Sequence, residues 1–202
     1  MQLVGMLDSP YVRRVAVSLH LLGLPFEHRP VSVFSAFAQF QQINPVVKAP
    51  TLVVGDGTVL MDSTLILQYA ERVAGKSLVP ADLATAGRDL RLIGLALAAC
   101  EKTVQIVYEH ELRPSEKRHA PWLARVDGQL AAAYAELERG IGLIAHQANT
   151  DAITQAGVSS AVAWQFTQML LPGRVPLAAH PALRAFSERA ERLPAFLAAP
   201  PR

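Results

Sequence analysis

The sequence predicts an α/β domain of βαβ-ββα order followed by an all-α domain. Three observations lead to this reading. Strand-like and helix-like stretches alternate through about the first eighty residues, two short apolar runs there flank the turn GDG, and beyond residue 83 the periodic stretches have helical spacing. The expected bounds are 1–77 for the first domain, 78–84 for a linker and 85–202 for the helical domain.

QLVGM (2–6) reads as the first strand. Residues 10–22 then carry Val12, Val15, Ala16, Leu19 and Leu22 at helical spacing, with Ser9 and Pro10 as start signals and Gly23 as the stop. FEHRPVSV (26–33) reads as a second strand, and because its Pro30 cannot donate to a ladder it is expected at a sheet edge. Residues 34–44 combine a loop with a short helical piece. PTLVV (50–54) and TVLM (58–61) pair as a hairpin across GDG. DSTLILQYAERVAG is a helix with polar caps in front and Gly75 behind. A right-handed βαβ crossover joined to a hairpin implies a mixed sheet. KSLVPADLA (76–84) loses the periodicity. Helices are expected at 83–113, ended by Pro114, at 116–147, at 157–171, ended by Pro172 and Gly173, and from Pro181 to about Leu193.

The 202 residues are 51% hydrophobic and 18% charged, which is the balance of a globular chain with one sizeable core or two small ones. The net charge is +2 and the basic residues are scattered, so neither nucleic acid nor an anionic membrane is the expected partner. No apolar run reaches membrane-spanning length and no signal-peptide layout is present, which makes the cytoplasm the expected location. The single cysteine, Cys100, excludes an internal disulfide framework and a cysteine-based zinc cluster. It falls in the series Leu90, Ile93, Leu97, Cys100, Val104 and Val107, whose spacing marks one helix face, so a buried packing thiol is expected.

Ser9 has two readings. Ser before Pro is a good helix start and needs no further role. A hydroxyl at a helix N-terminus, beside N–H groups with no partner in the helix and the positive end of its dipole, is also placed to stabilise an anion. What else arrives at that end of the helix decides between them.

Ser9, the stretch INPVVKAPTLV (43–53) and the stretch MDSTLILQYAE (61–71) resemble the glutathione transferase superfamily in order, spacing and type, and in particular its bacterial members with a serine at the active site. The carboxy-terminal HPALRAFSERAERLPAF (180–196) resembles the closing helix of that family. The resemblance covers nearly the whole chain and implies a thioredoxin-like first domain. It makes Pro50 a cis-proline, and it implies that the backbone of Ala49 pairs with the cysteinyl part of glutathione as a miniature added strand. Asp62 and Ser63, otherwise plain caps, would hold the γ-glutamyl group: hydroxyl and backbone N–H to its carboxylate, Asp62 to its amine. Family members often carry Glu where Asp62 stands. Lys48 would reach the glycyl carboxylate, with Gln39 and Gln42 as weaker neighbours. Ser9 matches the family's thiol-activating Tyr, Ser or Cys, while Met6 and Tyr11 are its neighbours and Tyr11 is the reserve.

The second domain would supply an acceptor pocket. Phe34, Phe37, Tyr108 and His110 are its candidate lining, with a lone His more often a structural residue than a catalytic one. The resemblance implies no cofactor beyond glutathione as co-substrate, no metal, a hydrophobic electrophilic partner, and a homodimer, to which the apolar content also points. One departure stands out. The family starts the buried helix of its second domain with Ser or Thr followed three residues later by Asp, whereas VSSAVAWQF offers Ser159 and then Val162. The leading function is therefore a transferase that ionises glutathione, and the alternative is a glutathione-binding or interaction protein of the same fold. Thiol–disulfide exchange is disfavoured because such relatives carry cysteine where Ser9 stands.

Overall fold

The first two strands are shorter than the stretches expected for them, each for a local reason. Strand β1 is Gln2–Val4, because Gly5 turns the chain out of the ladder at φ +136°, and β2 is Glu27–Arg29, because Pro30 has no N–H to continue it. The computed structural model describes residues 1–149 and 152–201, side chains of 146–149 excepted. It divides into two units, Met1–Leu78 with Arg192–Arg202, and Val79–Glu191.

In the first unit, helix α1 (Pro10–Leu22) follows β1, and α2 (Phe37–Ile43), β3 (Thr51–Val53), β4 (Val59–Met61) and α3 (Ser63–Ala74) follow β2. The sheet has the order β2-β1-β3-β4, with β1 parallel to β2 and antiparallel to β3, and β2 lies at the edge. This is a thioredoxin-like arrangement. Successive residues of a strand face opposite ways, so Leu3 and Val4 serve different layers. Val4 packs with Val31 and Phe40 on the α2 side. On the other side Val12, Val15, Ala16 and Leu19 of α1 meet Ile66, Leu67 and Ala70 of α3, all buried.

The tail belongs here and not with the helical unit, unlike the expected 85–202 domain. Arg13 is buried within α1, its Nε donates to the Ala199 carbonyl at 2.8 Å, and its guanidinium lies 5.6 Å from the centre of the Phe196 ring. That pairing satisfies a charge which the core would otherwise exclude. The helix expected from Pro181 to about Leu193 is α7 (Pro181–Ala190), which ends three residues earlier, and a separate short helix, α8 (Pro194–Leu197), follows it. Pro194 forces Leu193 into an extended conformation, at φ −67° and ψ 143°, which interrupts the spiral.

The second unit contains α4 (Leu83–Glu111), α5 (Ala120–Ile141), α6 (Gln155–Leu170) and α7. Helix α5 starts later than expected because Pro121 cannot donate to the preceding turn, and residues 115–117 form a separate 3₁₀ turn. The buried side of α4 is Leu92, Ile93, Ala96, Ala99, Cys100, Thr103 and Ile106, while Leu90 is exposed. Because α4 packs against both α5 and α6, its buried face is wider than the predicted stripe and includes the small residues Ala96, Ala99, Cys100 and Thr103. Among the described residues no helix is long and apolar enough to cross a membrane.

The start of α6 corrects the expectation at Ser159. The helix begins at Gln155 with Thr154 in the cap position, and Ser159 is buried inside it, its Oγ accepting from Gln155 Nε2 at 3.3 Å. Three residues after Thr154 stands Gly157, where an added Cβ would lie 2.7 Å from Ile153 Cγ1 and 3.0 Å from Phe186 Cζ. Close packing of α7 there leaves no room for an acidic side chain.

Asp89, on α4, has 0% exposure, and burial raises its carboxyl pKa above the ordinary value, with the Thr154 hydroxyl and the Arg88 charge opposing the shift. The folded state therefore holds this proton more tightly than the unfolded chain, so Asp89 lowers stability progressively as pH rises from about 4 through its folded pKa. Asp89→Asn is expected to raise the urea midpoint at pH 7.5 and to flatten the decline between pH 4.5 and 7.5. Equal pH dependence in both proteins would show the carboxylate to be fully compensated by its neighbours.

Candidate functional site

Sheet register brings four connections to one end of the first unit. Val4 ends β1 and is the partner of Arg29, which ends β2, and of Thr51, which begins β3; Thr51 is in turn the partner of Met61, which ends β4. The segments 5–9, 30–36, 48–50 and 62–63 therefore all emerge there. They carry Ser9, Phe34, Lys48, Ala49, Pro50, Asp62 and Ser63.

Ser9 is the N-cap of α1, with extended backbone and an Oγ that accepts from the Val12 N–H at 3.5 Å. A hydroxyl that accepts through one lone pair keeps its hydrogen for a second partner, so capping and donation to an anion are compatible. The segment 44–51 is folded on itself by Asn44, which is buried: its Nδ2 donates to Thr51 Oγ1 at 2.9 Å, its Oδ1 accepts from Val46 N at 3.0 Å, and Thr51 Oγ1 donates to the Lys48 carbonyl at 2.8 Å. The Ala49–Pro50 peptide is cis, and Ala49 lies outside the ladder that begins at Thr51.

Asp62 caps α3, its Oδ1 accepting from Thr64 N at 2.9 Å. Its φ of +71° is unusual for a residue with a Cβ and costs about 1–3 kcal/mol, a cost retained where the surrounding structure over-determines it. Lys48 Nζ lies 3.9 Å from Asp62 Oδ2, and with both side chains about half exposed this pair contributes no more than about 1 kcal/mol. Ser63 is buried at the first position of α3, and its Oγ accepts from Arg14 Nη1 at 3.0 Å.

Arg14, Asn44 and Gly5 form part of this corner and were not singled out from the sequence. The available signal for Arg14 was a pair of arginines, Arg13 and Arg14, set among the apolar positions of α1. Gly5 is required by space: a Cβ there would lie 2.6 Å from Val12 Cγ2 and 3.1 Å from Ala49 Cβ. Its absence lets the start of α1 approach the Ala49–Pro50 turn.

The remaining candidates are more dispersed. Met6 and Tyr11 are half-buried beside Ser9, Gln39 and Gln42 are exposed on or beside α2, and Phe34 and Phe37 are 58% and 52% exposed. Ser32 Oγ accepts from the N–H groups of Phe34 and Ser35, which fixes the turn that presents Phe34. Tyr108 and His110 belong to the second unit and line different depressions, Tyr108 with Leu112 and Trp122, His110 with Val107 and Leu170. Residues two apart on a helix point to different sides, so the structure does not bring these two together. Partial burial raises the Tyr108 hydroxyl pKa. Among the described residues no three His, Cys, Asp or Glu side chains are placed to hold a metal ion.

Residues 3–77 match the family model described as "Glutathione S-transferase, N-terminal domain". Over 100% of this chain and 98% of the other, the structure superposes with a TM-score of 0.86 and 31% identity on a glutathione transferase family member from Pseudomonas fluorescens Pf-5, crystallised with bound glutathione. The chain belongs to the glutathione S-transferase family. Among curated members, a glutathione S-transferase of Triticum aestivum is 32% identical over 56% of this chain and 55% of its own length. The uncharacterized GST-like protein YibF of Escherichia coli K12 is 29% identical over 62% of each. The chain thus matches about a third to three fifths of the length of the first curated glutathione transferase relatives.

Proposed function

We propose that this chain binds and ionises glutathione and conjugates it to an electrophilic small molecule, with Ser9 as the thiol-activating residue. The observation that carries the reading is the convergence of Ser9, Ala49, Asp62 and Ser63 at one end of the sheet. Glutathione bound in the Pseudomonas relative supports it. In this reading the N–H and C=O of Ala49 pair with the cysteinyl residue, Ser63 and the first N–H groups of α3 take the γ-glutamyl carboxylate, Asp62 faces the γ-glutamyl amine and Lys48 the glycyl carboxylate.

The energetics are adequate without a strong base. A thiol titrates near 8.5, so ionising it at neutral pH takes a shift of about two units, about 2.7 kcal/mol. A hydrogen bond to a charged acceptor supplies about 1.5–3 kcal/mol and a helix N-terminus about 0.3–1 kcal/mol. The thiol proton goes to solvent, the sulfur lone pair forms the bond to the electrophilic carbon, and a leaving group such as halide departs with its electron pair.

The test is calorimetric titration with glutathione followed by rates with an activated aryl halide, on protein whose mass light scattering reads as a homodimer. Ser63→Ala and Asp62→Ala are each expected to weaken binding about 10-fold or more, since each removes a charge-assisted partner of the γ-glutamyl group. Variants that bind like the parent would reduce both residues to helix caps. Tight binding without turnover would make the chain a glutathione-binding protein instead.

A further inference from the structure

Within the second unit, a cavity of about 650 Å³ opens between α5 and the segment 174–180, a size ordinary for a small organic ligand. His180, the first residue of HPALRAF, lines it and is only 7% exposed. Its ring is held in place by Tyr134, edge-on with centroids 6.0 Å apart, and by Trp164 at 5.7 Å. Nδ1 lies 2.9 Å from the Pro176 carbonyl oxygen. A carbonyl only accepts, so Nδ1 carries the hydrogen, and in the neutral ring Nε2 is left as a bare acceptor. Among the described residues Nε2 has no hydrogen-bond partner, and the cavity is where a donor for it can come from.

The charges that line the cavity are already matched. Arg174 donates to both oxygens of Asp127, through Nε at 2.7 Å and Nη2 at 2.6 Å. Glu138 accepts from the N–H groups of Ala182 and Leu183, at 2.8 Å each, at the positive end of the α7 dipole. An uncharged ligand is therefore the complementary one. The walls are apolar and shallow: Ala131 and Ala135, one turn apart on α5, extend no further than Cβ, and Leu130, Val175 and Pro176 accompany them. Methyl groups beside a proline ring suit the flat face of an aromatic ligand. We propose that this cavity binds an uncharged phenol, its hydroxyl donating to His180 Nε2 and its ring lying on the alanine strip. A phenolic hydroxyl, which titrates near 10, is acidic enough to be a good donor to an imidazole nitrogen. The site is separate from the one assigned to glutathione and does not depend on that assignment.

The experiment is equilibrium dialysis of 2-naphthol at pH 8, with S-hexylglutathione saturating so that the glutathione site is occupied. One site per chain is expected, with a dissociation constant of about 0.1 mM or tighter. 2-Methoxynaphthalene, which keeps the rings and lacks the donor, should bind about fivefold more weakly, and the anion naphthalene-2-carboxylate about 10-fold more weakly. His180→Asn preserves a donor for the Pro176 carbonyl and removes the Nε2 acceptor, so it should erase the preference for naphthol over its methyl ether. Ala135→Leu, at an exposed helix position that tolerates leucine, fills the cavity and should weaken both compounds about 10-fold. The ¹⁵N resonance of His180 Nε2 should shift with naphthol and not with the ether. If His180→Asn does not fold, Ala135→Leu and the ¹⁵N shift decide. Absence of binding, equal affinity for naphthol and its ether, or binding unaffected by Ala135→Leu would each overturn the inference and leave His180 a packing residue.

Discussion

Ser9→Ala is expected to leave glutathione binding largely intact while raising the pKa of the bound thiol by about one to two units and lowering the thiolate-dependent rate about 10- to 150-fold. The figure is the loss of one charge-assisted hydrogen bond of about 1.5–3 kcal/mol, expressed in the transition state when ionisation limits turnover. The same variant also loses a cap. Substitution of a serine cap costs about 0.5–2 kcal/mol, and the long 3.5 Å bond to Val12 N places this one at the low end. The two roles separate experimentally, because stability is read from urea unfolding and ionisation from an ultraviolet pH titration of the bound thiol. An unchanged thiol pKa with a near-normal rate would confine Ser9 to the helix and make Tyr11 the residue to test next.

Gly5→Ala should be the most damaging small substitution in the first unit. The backbone at φ +136° is one that residues with a Cβ rarely adopt, and the added methyl would sit 2.6 Å from a side-chain carbon of Val12, which is 0% exposed and has no space to retreat. Backbone strain and overpacking each cost about 1–3 kcal/mol, so the expected loss is about 2–6 kcal/mol, with a fall in the thermal midpoint of several degrees. Glutathione affinity should fall with it, because relief of the clash moves α1 and the Ala49 turn apart. Urea unfolding read beside calorimetry tests both. A loss below about 0.5 kcal/mol would show that the end of β1 shifts freely, and that the close approach of Ser9's helix to Ala49 is not enforced by this glycine.

The elements legible in the sequence are those whose signals are local. Helix α1 runs over 10–22 as its periodicity, Ser9 and Gly23 indicate, and α3 lies between Asp62 and Gly75. Pro30 marks β2 as an edge strand because the missing N–H is a property of that residue alone. Other boundaries escaped because a second local signal competed. Pro121 delays α5, and Thr154 occupies the N-cap position of α6 five residues before the serine expected from pattern. The buried face of α4 was misjudged because spacing alone does not say how many neighbours a helix has, and α4 has two along its length.

By itself, the sequence determined the order of elements, most helix ends and the chemical types available at one end of the sheet, since caps, turns and periodicity act within a few residues. Only the tertiary structure decided which distant residues share an environment. Strand register sets Val4 beside Thr51 and Thr51 beside Met61, so residues 9, 49, 50, 62 and 63 converge. Arg13 and Arg14 are adjacent and identical in type, yet one is buried against Ala199 and Phe196 and the other against Ser63 and Thr64. A buried guanidinium is tolerated only where partners from far along the chain meet it, and those partners are fixed by packing, which no local pattern encodes.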